Sequence, residues 1–290
     1  MDLENKLKNL PMIYYINLDH RTDRREWMES QFDHWGIKNY HRVCASRYDP
    51  SKYDEWKDIV VEKKILECKS LMSTALNNIE TIINWYDSNL SETCIMMEDD
   101  LSLDTIQYWN FDWTYFVNNL PENWDCVQLY FCYPYQSHGI AFPMFLHKRN
   151  NSFSAAAYLI NRSYAKRVKD LLYRDGKYRL TFVDNSFHKK HSEVDIIQDA
   201  NLFNIGITYS VPLFNLNINL GGDNQQNNNT MNPMDIICSK LIGHWWKNKH
   251  HKFPLEDFFT YGKPNDSEMT MKVELKDIQS FIEKRSNNTL

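Results

Sequence analysis

Short apolar runs alternate with helical patterns along the first 215 residues, and this alternation most constrains the fold. Residues 12–18, 93–97 and 154–160 are β-branched, aromatic or otherwise apolar, as buried strands are. Helical segments separate these runs, near residues 23–35, 69–87 and 162–173. Such alternation predicts an α/β fold with a mostly parallel central sheet flanked by helices.

Further strands and helices are predicted from weaker hydrophobic patterns. We expect strands at 40–45, 125–131 and 205–213, a helix near 105–119, and a long loop at 133–150. An Asn-rich stretch at 221–233 interrupts the chain, and a helical pattern follows it. We therefore predict a main domain over 11–220 and, over 221–290, a polar loop with a helical extension packed on the same domain.

Three consecutive carboxylates directly follow the apolar run Cys94–Met97. Ligands of open α/β sheets bind beyond the carboxyl ends of the strands, where Glu98, Asp99 and Asp100 are expected. Alternate residues of an extended segment point the same way, so Glu98 and Asp100 could hold one Mn²⁺ or Mg²⁺ while Asp99 faces away. The alternative is an acidic turn that caps the next helix.

A second polar cluster follows the first strand. Asn17 and Asp19 end that strand, and Arg21, Arg24 and Arg25 lie at the start of the next helix, which Asp23 is expected to cap. Guanidinium groups at a helix N-terminus suit phosphate groups, and a carboxylate there can accept hydrogen bonds from a ribose or a base. On spacing alone, a capped surface helix with Asp/Arg pairs remains the alternative.

Asp184 follows the apolar pair Phe182-Val183, with Asp195 further along the chain. A carboxylate in apolar surroundings can act as a general base, and the alternative is a helix N-cap. The six cysteines form no CxxC pair, the net charge is −5, and no apolar run is long enough for a membrane span. These features predict a cytoplasmic protein without a signal peptide, a transmembrane segment or a nucleic-acid partner, and they allow a homodimer.

Together these motifs resemble glycosyltransferase family 25, which contains lipooligosaccharide and collagen galactosyltransferases. The resemblance rests on four segments in order, and it covers roughly residues 11–215. They are Ile16-Asn17-Leu18-Asp19 with the arginines after it, Leu71-Met72-Ser73, Met97-Glu98-Asp99-Asp100, and Ala157–Arg162 followed by Val183-Asp184.

The resemblance implies a GT-A-type nucleotide-sugar-binding fold and transfer of a hexose from a UDP-sugar, with inversion, to a glycan, glycoprotein or hydroxylysine-type hydroxyl. It implies Mn²⁺, or Mg²⁺, on Glu98 and Asp100, and Asp184 as the catalytic base with Asp195 as the second choice. The donor-binding residues would be Asn17, Asp19, Arg21, Arg24, Arg25, Ser73 and Asp99.

Two departures from the family pattern leave the donor sugar open. Thr74 follows Ser73 where the family often has His, and His20 stands where Arg is common. Galactose is therefore the first choice, with glucose and N-acetylglucosamine as alternatives. A catalytically inactive UDP-sugar- or glycan-binding protein is the second hypothesis for the function, and a metal-dependent nuclease or phosphotransferase is the third.

Overall fold

The computed structural model describes residues 6–61, 69–133, 139–150, 152–180, 202–220, 233–259 and 269–287. Its strands are β1 (Met12–Asn17), β2 (Tyr40–Cys44), β3 (Thr93–Glu98), β4 (Leu101–Ser102), β5 (Cys126–Gln128), β6 (Ile140–Pro143), β7 (His147–Lys148), β8 (Ala157–Asn161), β9 (Tyr173–Arg174), β10 (Lys177–Tyr178), β11 (Thr208–Ser210), β12 (Asn215–Leu216) and β13 (Thr270–Val273).

The α-helices are α1 (Thr22–Trp35), α2 (Tyr53–Trp56), α3 (Lys69–Ser88), α4 (Trp113–Asn118), α5 (Arg162–Leu172), α6 (Pro233–Asn248), α7 (Leu255–Phe259) and α8 (Leu275–Asn287). Short 3₁₀ segments occupy Ala45–Tyr48, Pro50–Lys52, Lys57–Ile59, Asp104–Tyr108 and His250–Lys252. Among the described helices, none combines the length and apolarity that a bilayer crossing requires.

A seven-stranded sheet with the order β2-β1-β3-β8-β5-β11-β7 forms the centre of the fold. Strands β1, β2, β3, β5 and β11 run in the same direction, whereas β8 and β7 run antiparallel to their neighbours. The expected α/β class is thus confirmed, with helices flanking a mixed sheet in which most strands point the same way.

Both faces of the sheet are buried, which explains why its strands are continuous apolar runs rather than alternating ones. In β3, Ile95 and Met97 belong to one hydrophobic cluster, and Cys94 and Met96 belong to the other. Helix α3 covers the face that carries Cys94 and Met96, through Leu76 and other buried apolar residues at helical spacing. The two clusters lie on opposite sides of the sheet because successive strand residues point to opposite faces.

The first helix begins two residues earlier than an N-cap at Asp23 would place it. Thr22 is its first residue, Arg21 occupies the N-cap position without a capping side-chain bond, and Asp23 lies in the first turn. Gly36 ends the helix with φ +68°, a left-handed conformation that glycine adopts without strain. The prediction that Asp23 caps this helix is therefore wrong, while the predicted end at Gly36 is confirmed.

Two further predictions need correction. The helix expected near 105–119 is a 3₁₀ turn followed by the short helix α4, because aromatic residues between them, such as Trp109 and Phe111, turn into the core instead of continuing a helix. The loop expected at 133–150 contains β6 and β7 in its described part. Strand β7 pairs with β11, and β6 pairs with β13 from the C-terminal segment.

The C-terminal segment is more than a helical extension, because it contributes both a strand and core side chains. Trp245 and Trp246 of α6 are almost completely buried within the larger hydrophobic cluster. The Trp246 indole N–H donates to the carbonyl of Pro212, at 2.6 Å. Residues after the Asn-rich stretch therefore pack against residues that precede it.

Candidate functional site

The ends of β1 and β3 bring the first polar residues of the site together. The two strands are parallel neighbours, and Ile16 of β1 is paired with Glu98 of β3. Asn17 and the Glu98-Asp99-Asp100 turn therefore meet at the carboxyl edge of the sheet. The two motifs are separated widely in sequence, and parallel pairing joins them as expected for a ligand site in an open α/β sheet.

Asp99 is at the centre of a buried hydrogen-bond network. Its Oδ2 accepts from the Asn17 side-chain amide at 2.7 Å, and its Oδ1 accepts from the Arg24 guanidinium at 2.6 Å. Counted over the whole residue, Asn17, Arg24 and Asp99 are each at most 5% exposed. Both oxygens of Asp99 are thus engaged inside the protein, and the side chain faces the first helix.

Arg24 also contacts the next carboxylate. Its Nη2 lies 3.3 Å from Oδ2 of Asp100, so one guanidinium bridges Asp99 and Asp100. The other oxygen of Asp100, Oδ1, is buried and has no hydrogen-bond partner among the described atoms. A buried carboxylate oxygen without a donor is energetically unfavourable, and it is the kind of group that a cation satisfies.

Glu98 and Asp100 share an environment that disfavours two negative charges. Burial raises the pKa of Glu98, the neighbouring carboxylates Asp100 and Asp99 raise it further, and Arg24 opposes them. Burial also raises the pKa of Asp100, partly offset by Arg24. Each carboxylate would be stabilised in its charged form by an added positive charge.

Asp235 is a residue of this site that sequence reasoning missed. It lies in the first turn of α6 and raises the pKa of both Glu98 and Asp100 by charge repulsion. Burial raises the pKa of Asp235 itself, opposed by hydrogen bonds from Cys132 and Tyr130. The Tyr130 hydroxyl lies 3.3 Å from Oδ1 of Asp235. In the sequence, Asp235 looks like an ordinary acidic residue of a helix N-terminus, so no local signal marks it.

The oxygen atoms of these carboxylates are suitable ligands for a divalent metal ion. Mg²⁺ and Mn²⁺ prefer oxygen ligands and are commonly held by one or two carboxylates, with water and phosphate oxygens filling the other positions. Glu98 and Asp100 supply two carboxylates, including the unpartnered Oδ1 of Asp100. Within the described ranges, no three His, Cys, Asp or Glu side chains are grouped closely enough to form a complete metal site.

A second hydrogen-bonded group lies beside the first, at the end of β1. Arg42 of β2 donates to Oδ1 of Asn17 at 2.9 Å and to Asp19 at 2.6 Å. The thiol of Cys44 lies 2.9 Å from the other oxygen of Asp19. Hydrogen bonds from Cys44 and then Arg42 lower the pKa of Asp19 to about 2. Asp19 is exposed and is therefore an ionised acceptor open to solvent at the sheet edge.

Arg42 is the second residue missed from the sequence. It lies on a strand whose pattern suggested only packing, and its role follows from the parallel register that aligns β2 with β1. The guanidinium links Asn17 to Asp19 and so connects the buried network to the exposed carboxylate.

The remaining predicted donor residues lie in different settings. Arg21 makes a two-pronged ion pair with Asp23, at 2.9 and 2.8 Å, and also donates to the carbonyl of Leu220. Arg25 is half-buried on α1. Ser73 is buried on α3, where the Asn77 amide donates to its carbonyl and lies 3.5 Å from its hydroxyl. Both of these contacts of Ser73 lie within its own helix.

Asp184 and Asp195 lie outside the described residues. Their predicted role in catalysis therefore remains a prediction. The same holds for the second acidic cluster that a nuclease or phosphotransferase with two metal ions would need.

No family model and no curated protein matches the sequence. Among solved structures, the chain is similar to A197 from STIV, with 10% sequence identity and a TM-score of 0.36. The match covers 71% of this chain and 84% of that chain. A similarity at this level carries no argument about function.

Proposed function

We propose that this chain is a metal-dependent glycosyltransferase with a GT-A-type fold. It transfers a hexose, with galactose as the first choice, from a UDP-sugar to a hydroxyl of a glycan or hydroxylysine-type acceptor, with inversion. The observation that carries the proposal is the buried Glu98–Asp100 pair at the carboxyl edge of the sheet, with the unpartnered Oδ1 of Asp100.

In this proposal Glu98 and Asp100 hold the ion, which is Mn²⁺ or Mg²⁺. The ion supplies positive charge that stabilises the departing diphosphate. Asp235 adds a negative charge near the pair, so that a cation there would be bound more favourably. Arg24 holds the Asp100 carboxylate in place, and Asp99 holds Arg24.

The neighbouring polar group serves the nucleoside. Asp19, ionised and exposed, accepts hydrogen bonds from the uridine or its ribose, while Asn17 stays within the buried network and orients Arg42. Arg21 and Arg25 lie at the start of α1, and in this proposal they contact the diphosphate. Asp184 is the proposed base that removes the acceptor proton, with Asp195 as the second choice.

A second candidate is a protein that binds UDP-sugars or glycans without catalysis. Arg24 favours it, because this guanidinium already neutralises Asp99 and part of Asp100 without any added ion. In that reading the acidic turn is an internal ion-pair network that preserves the binding fold.

The decisive experiment is thermal unfolding of the full chain with UDP, UDP-galactose, UDP-glucose and UDP-N-acetylglucosamine, each with Mn²⁺, with Mg²⁺ or with a chelator. A ligand that binds only the native state raises its stability by about 2.7 kcal/mol at one hundred times Kd. We expect one UDP-sugar to stabilise the protein most, and only when the metal is present.

The matched variants are Asp100→Asn and Asp170→Asn. Both make the same chemical change, but Asp170 is on the exposed face of α5, in a surface pair with Lys166. Metal-dependent stabilisation should persist in Asp170→Asn and disappear in Asp100→Asn. Stabilisation by a UDP-sugar that is indifferent to metal in the wild type would contradict the proposal. Metal-dependent stabilisation without any release of UDP would favour the non-catalytic candidate.

A further inference from the structure

The segment 152–156 lies beside the acidic turn and is held by several hydrogen bonds. It leads into β8, and Ala157 at the start of β8 pairs with Met97 near the end of β3. Because β8 is antiparallel to β3, its first residues lie at the same edge of the sheet as Glu98. The backbone N–H of Glu98 donates to the carbonyl of Ala156 at 2.8 Å.

Ser154 has a backbone conformation that serine seldom adopts. Its φ is +99°, whereas the other described non-glycine residues with positive φ are Asn9, Asn89 and Asp175, at +64°, +53° and +53°. Asn and Asp tolerate the left-handed helical region, whereas a φ near +100° lies outside it and favours glycine. Such a conformation persists only where the surroundings hold it firmly.

Buried polar groups hold the segment in place. The amide of Gln128 donates to the carbonyl of Ser154 at 3.1 Å. The hydroxyls of Ser152 and Ser210 each donate to the other end of that amide, at 2.8 Å. Gln128, Ser152 and Ser210 have no exposed surface. The Gln128 side chain is thus fixed at both ends, and it fixes the Ser154 peptide in turn.

The serine hydroxyl supplies something that glycine could not. Oγ of Ser154 accepts a hydrogen bond from the backbone N–H of Ala156 at 3.2 Å, the local bond of a serine turn. The carbonyl of the same Ala156 receives the Glu98 N–H. The hydroxyl therefore orients the residue on which the Glu98 backbone rests.

We infer that Ser154 is a positioning residue for Glu98. Its hydroxyl fixes the Ala156 backbone, and the Ala156 carbonyl in turn fixes the Glu98 backbone, from which the carboxylate side chain extends. The inference rests on the proposed function for the role of Glu98 in ion binding. It requires no contact between Ser154 and the ion or the substrate. Serine is present in place of the less strained glycine because the turn needs an acceptor for the Ala156 N–H.

Two variants separate the hydroxyl from the backbone strain. Ser154→Gly relieves the strain but removes the acceptor, so we expect an unfolding temperature within about 2 °C of the wild type. Ser154→Asn keeps a side-chain oxygen that can accept from the same N–H, and it retains the backbone strain of the wild type. Asn89→Gly is the control, because it changes a left-handed residue that precedes β3 at the opposite edge of the sheet.

Two measurements are made on each variant. The first is the affinity for Mn²⁺ alone, from electron paramagnetic resonance of the free ion. We expect Ser154→Gly to lose about 10-fold in affinity, as expected for the loss of a group that orients a metal ligand. The second is hydrogen exchange of the Glu98 amide, which should become faster in Ser154→Gly. Ser154→Asn should restore both values, and Asn89→Gly should change neither.

The two measurements also separate this inference from the proposed function. Wild-type protein that binds no Mn²⁺ would contradict the proposed function, and exchange at the Glu98 amide would then decide the positioning role alone. Unchanged exchange at Glu98 in Ser154→Gly would overturn the inference. Faster exchange combined with unchanged Mn²⁺ affinity would overturn its link to ion binding.

Discussion

Arg24 and Asp99 form a buried ion pair, with 2.6 Å between Nη1 of the guanidinium and Oδ1 of the carboxylate. Their side chains are only 6% and 7% exposed, so the pair is shielded from solvent. The same guanidinium reaches Oδ2 of Asp100, whereas Oδ1 of Asp100 has no hydrogen-bond partner among the described residues. The ion pair thus orients the carboxylate that the proposed function assigns to the metal.

Removal of Arg24 should destabilise the protein strongly. In Arg24→Met, Asp99 and Asp100 lose their buried counter-charge, and the free energy of unfolding should fall by about 3–5 kcal/mol. Urea unfolding in the presence of a chelator measures this change. The control is Lys166→Met, which breaks an exposed pair and should change stability by less than about 1 kcal/mol. A similarly small loss in Arg24→Met would show that the buried pair is not needed.

Glu98→Gln should stabilise the metal-free protein at alkaline pH. The pKa of Glu98 is raised in the folded state. Its contribution to stability is therefore present at low pH, and it is lost as the pH rises from the pKa of this glutamate in the unfolded chain to its raised pKa in the folded state. A neutral glutamine removes this penalty, and we expect a gain of about 1–2 kcal/mol at pH 8. Chelator-treated samples unfolded in urea at pH 5 and pH 8 test the sign.

The same substitution should reverse its effect when metal is present. Mn²⁺ should stabilise the wild type and leave Glu98→Gln nearly unchanged, because a neutral amide is a poor ligand for a hard cation. A gain from Mn²⁺ that is equal in both proteins would exclude Glu98 as a ligand.

Asp19→Asn should weaken nucleotide binding and leave metal binding intact. Hydrogen bonds from Cys44 and Arg42 keep the pKa of Asp19 near 2, so the carboxylate stays ionised at neutral pH. Loss of a charged acceptor should weaken UDP binding by about 10-fold or more. Calorimetric titration with UDP in saturating Mn²⁺ measures the change, and Asp33→Asn, in an exposed pair with Lys38, is the control. Equal losses in both variants would indicate a general effect of charge.

His147 should make the protein less stable in mild acid. Burial lowers the pKa of His147 to about 4, with an opposing hydrogen bond to the carbonyl of Phe145. The other ring nitrogen lies 3.0 Å from the Tyr133 hydroxyl, so the neutral ring can bond at both nitrogens. The unfolded chain binds a proton near pH 6.5, and stability should therefore fall as the pH is lowered from 6.5 toward 4.

The substitution His147→Gln tests this pH dependence. It should flatten the dependence between pH 6.5 and 4, whereas the exposed-residue variant His34→Gln should leave it unchanged. A wild-type stability that stays constant over this range would contradict the neutral state of His147 in the folded protein.

Local sequence pattern was sufficient to predict β1, β3 and α1. The strands that end at Asn17 and Glu98, and the helix that ends at Gly36, were predictable because apolar runs, helical spacing and a glycine stop are local signals. Their meeting at one edge followed from the general rule for open α/β sheets.

Long-range pairing was not predictable in the same way. Strand β8 inserts antiparallel between β3 and β5, and β13 pairs with β6 across a large sequence separation. Arg42 reaches the site through the pairing of β2 with β1, and Asp235 reaches it through the packing of helix α6. Short strands such as β7 have too few residues to show a period.

The contacts of the side chains within the acidic turn could not all be predicted from the sequence. The alternation of side chains along a strand suggested that Asp99 would face away from Glu98 and Asp100. In the structure, the Asp99 carboxylate accepts hydrogen bonds from Asn17 and Arg24. The alternation did not indicate that Arg24 would also reach Asp100, because that contact depends on how closely α1 packs against the turn.

The central claim is metal-dependent cleavage of a UDP-sugar, and release of UDP measures it most directly. Wild type, Asp100→Asn and the control Asp170→Asn are incubated with UDP-galactose, UDP-glucose or UDP-N-acetylglucosamine, with Mn²⁺ or with a chelator. We predict UDP release by the wild type and by Asp170→Asn with Mn²⁺, none with chelator, and a loss of at least about 100-fold in Asp100→Asn. Release that continues at the wild-type rate in chelator, or in Asp100→Asn, would contradict the account.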